Sequence, residues 1–360
     1  MYSFANDYSE GACPKVLEDL IKTNDVQTPG YGEDVFCERA RKLIRDKVGN
    51  DSVDVHFITG GTPCNVLAMT LLKAHEAVIC VESGHINTHE TGAVEATGHK
   101  IITVKGVEGK ITSQEIRDVV ALHENEHMVK PKMVFISNAT ELGTIYYKKE
   151  LKELYNTCKE LSLYLYLDGA RIANALTAIG NDMVLKDICR YTDMFYIGGT
   201  KNGALLGEAM VIRNDALKPD FRYLIKQRCA MLAKGRVIGS QFISLMEDDL
   251  YLQNGKNANI MAQALKYIFT QTGIKLYIDT PTNQIFPIME NSLLEKIKND
   301  YVVTPWGKYD DNHTIVRFVC SWACNKDHIQ DFFNDLDRYI NEKYSFILKL
   351  YFNLKEMLPL

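Results

Sequence analysis

Seven short apolar runs, rich in β-branched and aromatic residues, are spaced along the first 213 residues of the chain. They are VDVHFIT (53–59), AVICVES (77–83), IITVK (101–105), MVFISN (133–138), LYLYLD (163–168), DMFYIG (193–198) and EAMVIR (208–213). Each has the length of a strand, and helical signals separate most of them. Thr112 and Glu115 stand at capping-box spacing ahead of IRDVVALHE. KKELKELYNTCKEL (148–161) carries apolar residues at helical spacing, with acids and bases on its other side. Strands that alternate with helices predict an α/β fold, with a mainly parallel sheet covered on both faces. Ligands collect at the carboxyl ends of such strands, so residues just past those ends are the candidates for chemistry.

After about residue 245 the rhythm changes. The helical NANIMAQALKYIFTQTG leads to NQIFPIM, a helical NSLLEKIKND, then YVVTPW, TIVRFVC and a long helix through DHIQDFFNDLDRYINEKY. Two or three strands with helices predict a small α+β domain over 246–345, after a large domain over 1–245 that includes the N-terminal segment. Residues 346–360 form a C-terminal extension; the amphipathic, aromatic SFILKLYFNLKEMLPL is expected to pack on the body or on a partner subunit. At 360 residues the chain can bury a sizeable core.

A net charge of −5, with 41 basic and 46 acidic residues interspersed, gives no reason to expect nucleic acid. No apolar run is long enough to span a membrane, and no secretory leader is evident, so no membrane partner is expected. The nine cysteines are odd in number, scattered and mostly set in apolar runs, which fits reduced thiols in a cytoplasm. His85 and His89 in HINTH have a zinc-like spacing but no evident third ligand, so no metal is expected.

Three stretches carry chemistry. In YIGGTKNGALLGEAM (196–210) Lys201 lies among Gly198, Gly199, Thr200, Asn202 and Gly203, which is either a surface turn or room around a Schiff-base lysine. In FITGGTPCNVLAMTLL (57–72) a strand runs into Gly60 and Gly61, with Thr62 as N-cap and Pro63 as first helical residue; this is either a capped helix or a phosphate cup. In LYLYLDGARIANA, Asp168 ends an apolar strand and Arg171 follows. The two form an ion pair, or they serve a protonated ring nitrogen and a substrate carboxylate respectively. Neither a P-loop nor a dinucleotide glycine fingerprint is present.

Taken in order, YGED (31–34), GGTPCN (60–65), ESGHINTHETGA around His85, SNATELGT (137–144), LDGARIANA (167–175), GGTKNG (198–203) and VRFVCSW around Arg317 resemble the threonine aldolase, or β-eliminating lyase, family of fold-type I pyridoxal-phosphate enzymes. The likeness runs from about residue 4 to 345. It implies a mixed, mainly parallel seven-stranded sheet with a small C-terminal domain. It also implies pyridoxal 5′-phosphate as cofactor, and cleavage of the Cα–Cβ bond of β-hydroxy-α-amino acids such as L-threonine or L-allo-threonine. By position, Lys201 would form the Schiff base and Asp168 would hold the pyridine nitrogen. His85 would stack on the ring and take part in proton transfer, and Gly61 and Thr62 would cradle the phosphate.

Arg171 and Arg317, with Asn6 where the family often has serine, would grip the substrate carboxylate. Arg236 would reach a phosphate in a neighbouring subunit, and Tyr31 would stand at an intersubunit site, implying a homodimer or homotetramer with shared sites. Thr140 occupies the position of a histidine that aldolases commonly use on the substrate hydroxyl, and His89 is the candidate replacement. Another reaction on the same cofactor (β-elimination or transamination) and a catalytically silent binding protein of this fold are the alternative functions.

Overall fold

In a computed structural model that describes residues 1–341, the period-two pattern of the apolar runs sorts side chains onto the two faces of one sheet. Its strands, after a two-residue β1 (Tyr2–Ser3), are β2 (Asp54–Ile58), β3 (Glu76–Val81), β4 (Lys100–Val104), β5 (Lys130–Ser137), β6 (Tyr164–Asp168), β7 (Met194–Gly198) and β8 (Glu208–Ile212). All seven predicted runs are strands. In β6 and β7, Leu165, Leu167, Phe195 and Ile197 enter one core. Tyr166, Met194 and Tyr196 enter the core on the opposite face. Both faces are therefore buried, and each fully buried large apolar side chain contributes about 1.5–3 kcal/mol. A one-residue slip of any strand would exchange the two sets.

The strand order is β2-β8-β7-β6-β5-β3-β4. β3 pairs in parallel with both β4 and β5, β5 with β6, and β6 with β7. β8 runs antiparallel to β2 and to β7. The carboxyl ends of β2, β3, β5, β6 and β7 thus share one edge of the sheet, and the first residue of β8, Glu208, joins it by pairing with Ile58 and Gly198. The predicted capping box is present: Thr112 Oγ1 accepts from Glu115 N, and Glu115 Oε2 accepts from Thr112 N at 2.9 Å. The predicted helix at 148–161 spans Lys148–Glu160.

Past residue 245, helix Leu250–Gln271 leads to β9 (Gln284–Ile285), β10 (Ile288–Glu290), β11 (Tyr301–Val302), β12 (Thr304–Lys308) and β13 (His313–Val319). β13 pairs antiparallel with β9, β10 and β12, giving four strands where the sequence predicted two or three. The excess arises at NQIFPIM, which Pro287 divides into β9 and β10. The N-terminal segment reaches the same region: β1 pairs with β11 in a separate two-stranded sheet, and Val319 N of β13 donates to Phe4 O at 2.8 Å. The predicted extension at 346–360, and the end of the predicted small domain, lie outside the described residues.

Candidate active site

Asp168 is the last residue of β6 and is 5% exposed. Strand alternation puts it on the same face as Tyr166, over helix Gly61–Met69. Its Oδ1 accepts from Tyr196 Oη at 2.5 Å and from Ala170 N at 3.0 Å, and its Oδ2 accepts from Asn65 Nδ2 at 3.1 Å. The ion pair with Arg171 that the sequence allowed is absent. A buried carboxylate is costly, and three donors offset that cost without a cation.

Arg171 pairs instead with Asp7 of the N-terminal segment. Its Nε and Nη2 donate to the two Asp7 oxygens at 2.7 and 3.1 Å, and Asn283 Nδ2 adds a third bond at 2.9 Å. Arg171, with Lys201, holds the Asp7 carboxyl below its usual range despite complete burial. Beside this pair, Arg317 of β13 donates to Ala5 O at 3.3 Å and lies over the Trp306 ring, 5.0 Å from its centroid. Its Nε is buried with no partner among the described residues. Burial, reinforced by the positive Arg171, lowers the Arg317 pKa to about 10. Asn6 closes a turn in the same segment, its Oδ1 accepting from Tyr8 N and Ser9 Oγ at 2.9 and 3.0 Å.

Lys201 follows β7, in a short 3₁₀ turn, Thr200–Asn202. Neighbouring strand ends bring it to the same edge as Asp168: Gly198 N donates to Gly169 O at 3.0 Å, and Asn202 Nδ2 donates to Ala170 O at 3.3 Å. Glycine is required at this junction. A Cβ on Gly169 would lie 1.8 Å from Tyr196 O, and one on Gly198 would lie 2.5 Å from Ala170 O. The Lys201 amine has no hydrogen bond or ion pair among the described residues; it faces the Tyr8 ring, whose centroid is 5.9 Å away. Burial and the charge of Arg171 lower its pKa, which favours the neutral, nucleophilic amine. The turn is held by buried Glu208, which accepts from Gly199 N at 2.6 Å and Thr200 Oγ1 at 2.7 Å. Burial pushes the Glu208 pKa up to about 7.

His85 opens a four-residue helix after β3. Its backbone N donates to Glu141 Oε1 at 3.0 Å, and its Nδ1 lies 2.7 Å from Glu90 Oε1. Burial raises the Glu141 pKa. Asn65 Nδ2 also donates to Glu90 Oε1, at 2.6 Å, so Asn65 connects Glu90 with Asp168. The His89 ring stacks on His85 with centroids 5.5 Å apart and on Trp306 at 6.0 Å. Burial, His85 and the nearby cations lower its pKa.

The helix start after β2 differs from expectation. Helix Gly61–Met69 takes Gly60, not Thr62, as N-cap, because the chain is already extended at Gly60 and Thr62 falls within the first turn. The Thr62 hydroxyl is left without a partner among the described residues, and a Cβ on Gly61 would approach Tyr196 Oη to 2.9 Å. Thr140 is fully buried, with its hydroxyl 2.7 Å from that of Thr144. Two further residues stand apart from the cluster. Arg236 donates to Thr23 O and Val26 O, and Tyr31 is 46% exposed.

Reasoning from sequence missed Asp7, Asn65, Glu90, Glu141 and Glu208. For Glu208 a signal existed, since an acid opening an apolar strand needs a buried partner; the others have none in local pattern. Among the described residues, no group of three or more histidines, cysteines or acids is placed to hold a metal ion. No helix there is long and apolar enough to cross a membrane.

The beta-eliminating lyase family model matches residues 4–291. The low specificity L-threonine aldolase of a Pseudomonas species is 33% identical over 342 residues, covering 92% of this chain and 96% of that protein. A solved threonine aldolase of Leishmania major superposes with a TM-score of 0.93 at 46% identity, over 94% of this chain and 100% of the other. A structure of SPT with pyridoxal phosphate as an internal aldimine shares the fold at a TM-score of 0.68 and 14% identity, over 94% of this chain and 87% of the other. With four-fifths of its length under the family model, and Lys201 and Asp168 on adjoining strand ends, the chain belongs to the beta-eliminating lyase family, among the threonine aldolases.

Proposed function

We propose that the chain binds pyridoxal 5′-phosphate and cleaves the Cα–Cβ bond of β-hydroxy-α-amino acids, releasing glycine and acetaldehyde from L-threonine or L-allo-threonine. The observation that carries this reading is the Lys201 amine, without a hydrogen bond or ion pair among the described residues and less basic than an ordinary lysine, at the same sheet edge as the buried Asp168 carboxylate. The residues present fit the cofactor. Lys201 would take its aldehyde carbon, Asp168 its ring N–H, and Gly61 and Thr62 its phosphate at an uncapped helix start. Asn138 follows β5 and its backbone N donates to Asp168 O at 3.0 Å; its Nδ2, buried and without a partner among the described residues, offers a further donor.

Bound there, pyridoxal phosphate supplies an electron sink for the bond broken at Cα. The chain's own residues choose that bond. The orphan Nε of Arg317 offers the substrate carboxylate a charged donor, and Asp7 holds Arg171 in a fixed orientation next to it. Anchoring the carboxylate fixes the rotation about Cα, and orientation of this kind is where the protein adds rate. His85 sits at the same edge with Nδ1 engaged by Glu90, so its Nε2 is the atom available to take the β-hydroxyl proton.

Incubating the purified, cofactor-loaded protein with L-threonine and L-allo-threonine should yield glycine and acetaldehyde in equal amounts. Pyruvate and ammonia from serine, or turnover that requires an oxo-acid acceptor, would replace this reading with elimination or transamination. His89, stacked between His85 and Trp306, is the proposed contact for the substrate hydroxyl, because Thr140 spends its own hydroxyl on Thr144. His89→Phe keeps the stack and removes the ring nitrogens. It should lower turnover of threonine about tenfold with the cofactor still bound, and unchanged turnover would remove His89 from this role.

We also propose that the face carrying Tyr31 and the Arg236 helix start meets a second copy of the chain, so that a homodimer or homotetramer completes each site. That face is one surface, since a Cβ on Gly235 would touch Gly32 N at 2.4 Å. The boundary near residue 245 and a cytoplasmic location complete the reading; among the described residues all nine cysteines are unpaired thiols.

A further inference from the structure

We propose that Glu90 is a positioning residue for this reaction, holding His85 with its proton on Nδ1 so that Nε2 keeps the lone pair that receives the substrate proton. The inference rests on the function proposed above.

The tautomer follows from a chain of buried donors. Tyr166 Oη donates to Asn65 Oδ1 at 2.8 Å, and burial keeps that phenol protonated. With its oxygen so occupied, the Asn65 amide must turn both N–H bonds outward, one to Asp168 Oδ2 and one to Glu90 Oε1. The Glu90 oxygen that receives this bond is the one facing His85 Nδ1 at 2.7 Å. As the common acceptor of two groups, it leaves Nδ1 as the donor. The Glu90 side chain is wholly removed from solvent, and the His85 side chain remains one-third exposed.

Other charged groups around His85 do not compete for Nδ1. Glu141 receives the His85 backbone N–H, His89 meets the ring face, and the cations Arg317, Lys201 and Arg171 act on His89. The second Glu90 oxygen is buried without a partner among the described residues. A buried oxygen left unpaired costs about 1–3 kcal/mol, and such cost is tolerated where an ionised acceptor has a task. Here a charge facing the imidazole stabilises the cation that forms as Nε2 takes a proton. An amide of the same shape would support the packing and not the cation.

Glu90→Gln therefore separates the two roles, and Glu90→Asp restores the charge. In Glu90→Gln, kcat for glycine release should fall about 10- to 100-fold, with KM within about twofold. The acidic limb of kcat/KM should move to lower pH, because without the carboxylate the imidazolium loses its proton more readily. Glu90→Asp should recover part of kcat and return the limb toward wild type. The double variant His85→Asn/Glu90→Gln should lose no more than His85→Asn alone. A readout independent of turnover is ¹⁵N NMR of histidine-labelled holoenzyme, with the His85 signals identified by their loss in His85→Asn. Wild type should show a protonated Nδ1 and a bare Nε2.

A proton on Nε2 in wild type would overturn the proposal, as would a Glu90→Gln enzyme with wild-type kcat and an unmoved limb. Should Glu90→Gln fail to fold, as judged by thermal melting, the wild-type spectrum and Glu90→Asp decide the matter. A protein that shows the Nδ1–H signal but releases no glycine from either threonine retains the tautomer and loses the proposed function instead.

Discussion

Replacing Lys201 with alanine lowers glycine release from threonine by at least about 10³-fold, and abolishes the absorption band of a cofactor Schiff base. The size of the effect comes from how the chain prepares this amine. An ordinary lysine is protonated at neutral pH and lacks the lone pair that a carbonyl carbon requires. Burial disfavours the charged form here, Arg171 disfavours it further, and Asp7, Asp168 and Glu208 oppose them only in part. The balance leaves the pKa lowered, so the neutral fraction grows at lower pH than for a surface lysine. Glu208 and Thr200 fix the turn beneath it. Free cofactor added to the variant should bind through the remaining contacts without forming the band. A variant that keeps the band would mean that another lysine does this work.

The second large effect is expected at Asp168. Asp168→Asn keeps the shape and removes the charge, and kcat should drop about 10²–10³-fold. A carboxylate here keeps a partnered ring nitrogen protonated, and an amide does so far less well. The hydrogen bonds sharpen the expectation. Tyr196 Oη and Ala170 N both donate to Oδ1, so the new carbonyl oxygen must take that side. The new NH₂ then faces Asn65 Nδ2, which is itself a donor and cannot turn over without abandoning Tyr166. Binding of the cofactor should weaken along with kcat, read as a higher concentration needed to restore activity. A wild-type kcat in this variant would show that the charge at 168 is not needed.

The fold was legible because its strands are buried on both faces and so read as apolar runs, and because glycine marks the places where adjoining strand ends touch. Asp168 and Lys201 were legible for the same reason, as polar residues ending such runs. Asp7 was not. It lies in FANDYSEG, which has no periodicity, and its meeting with Arg171 depends on β1 pairing with β11 some three hundred residues later. Asn65 and Glu90 look like ordinary polar positions in a helix and a turn; only the closure of helix Gly61–Met69 over Tyr166 and Tyr196 removes them from water. The N-cap was misjudged at Thr62 because threonine caps helices readily. The extended conformation of Gly60, which let the helix begin two residues earlier, has no signature in the sequence.

The central claim is that one amine, at position 201, carries the cofactor. Reducing the pyridoxal-phosphate-loaded protein with borohydride, then digesting it and weighing the peptides, tests that claim directly. The account predicts a single phosphopyridoxyl addition, on the peptide containing Lys201. A chain that gains no such mass, or gains it at another lysine, would contradict it.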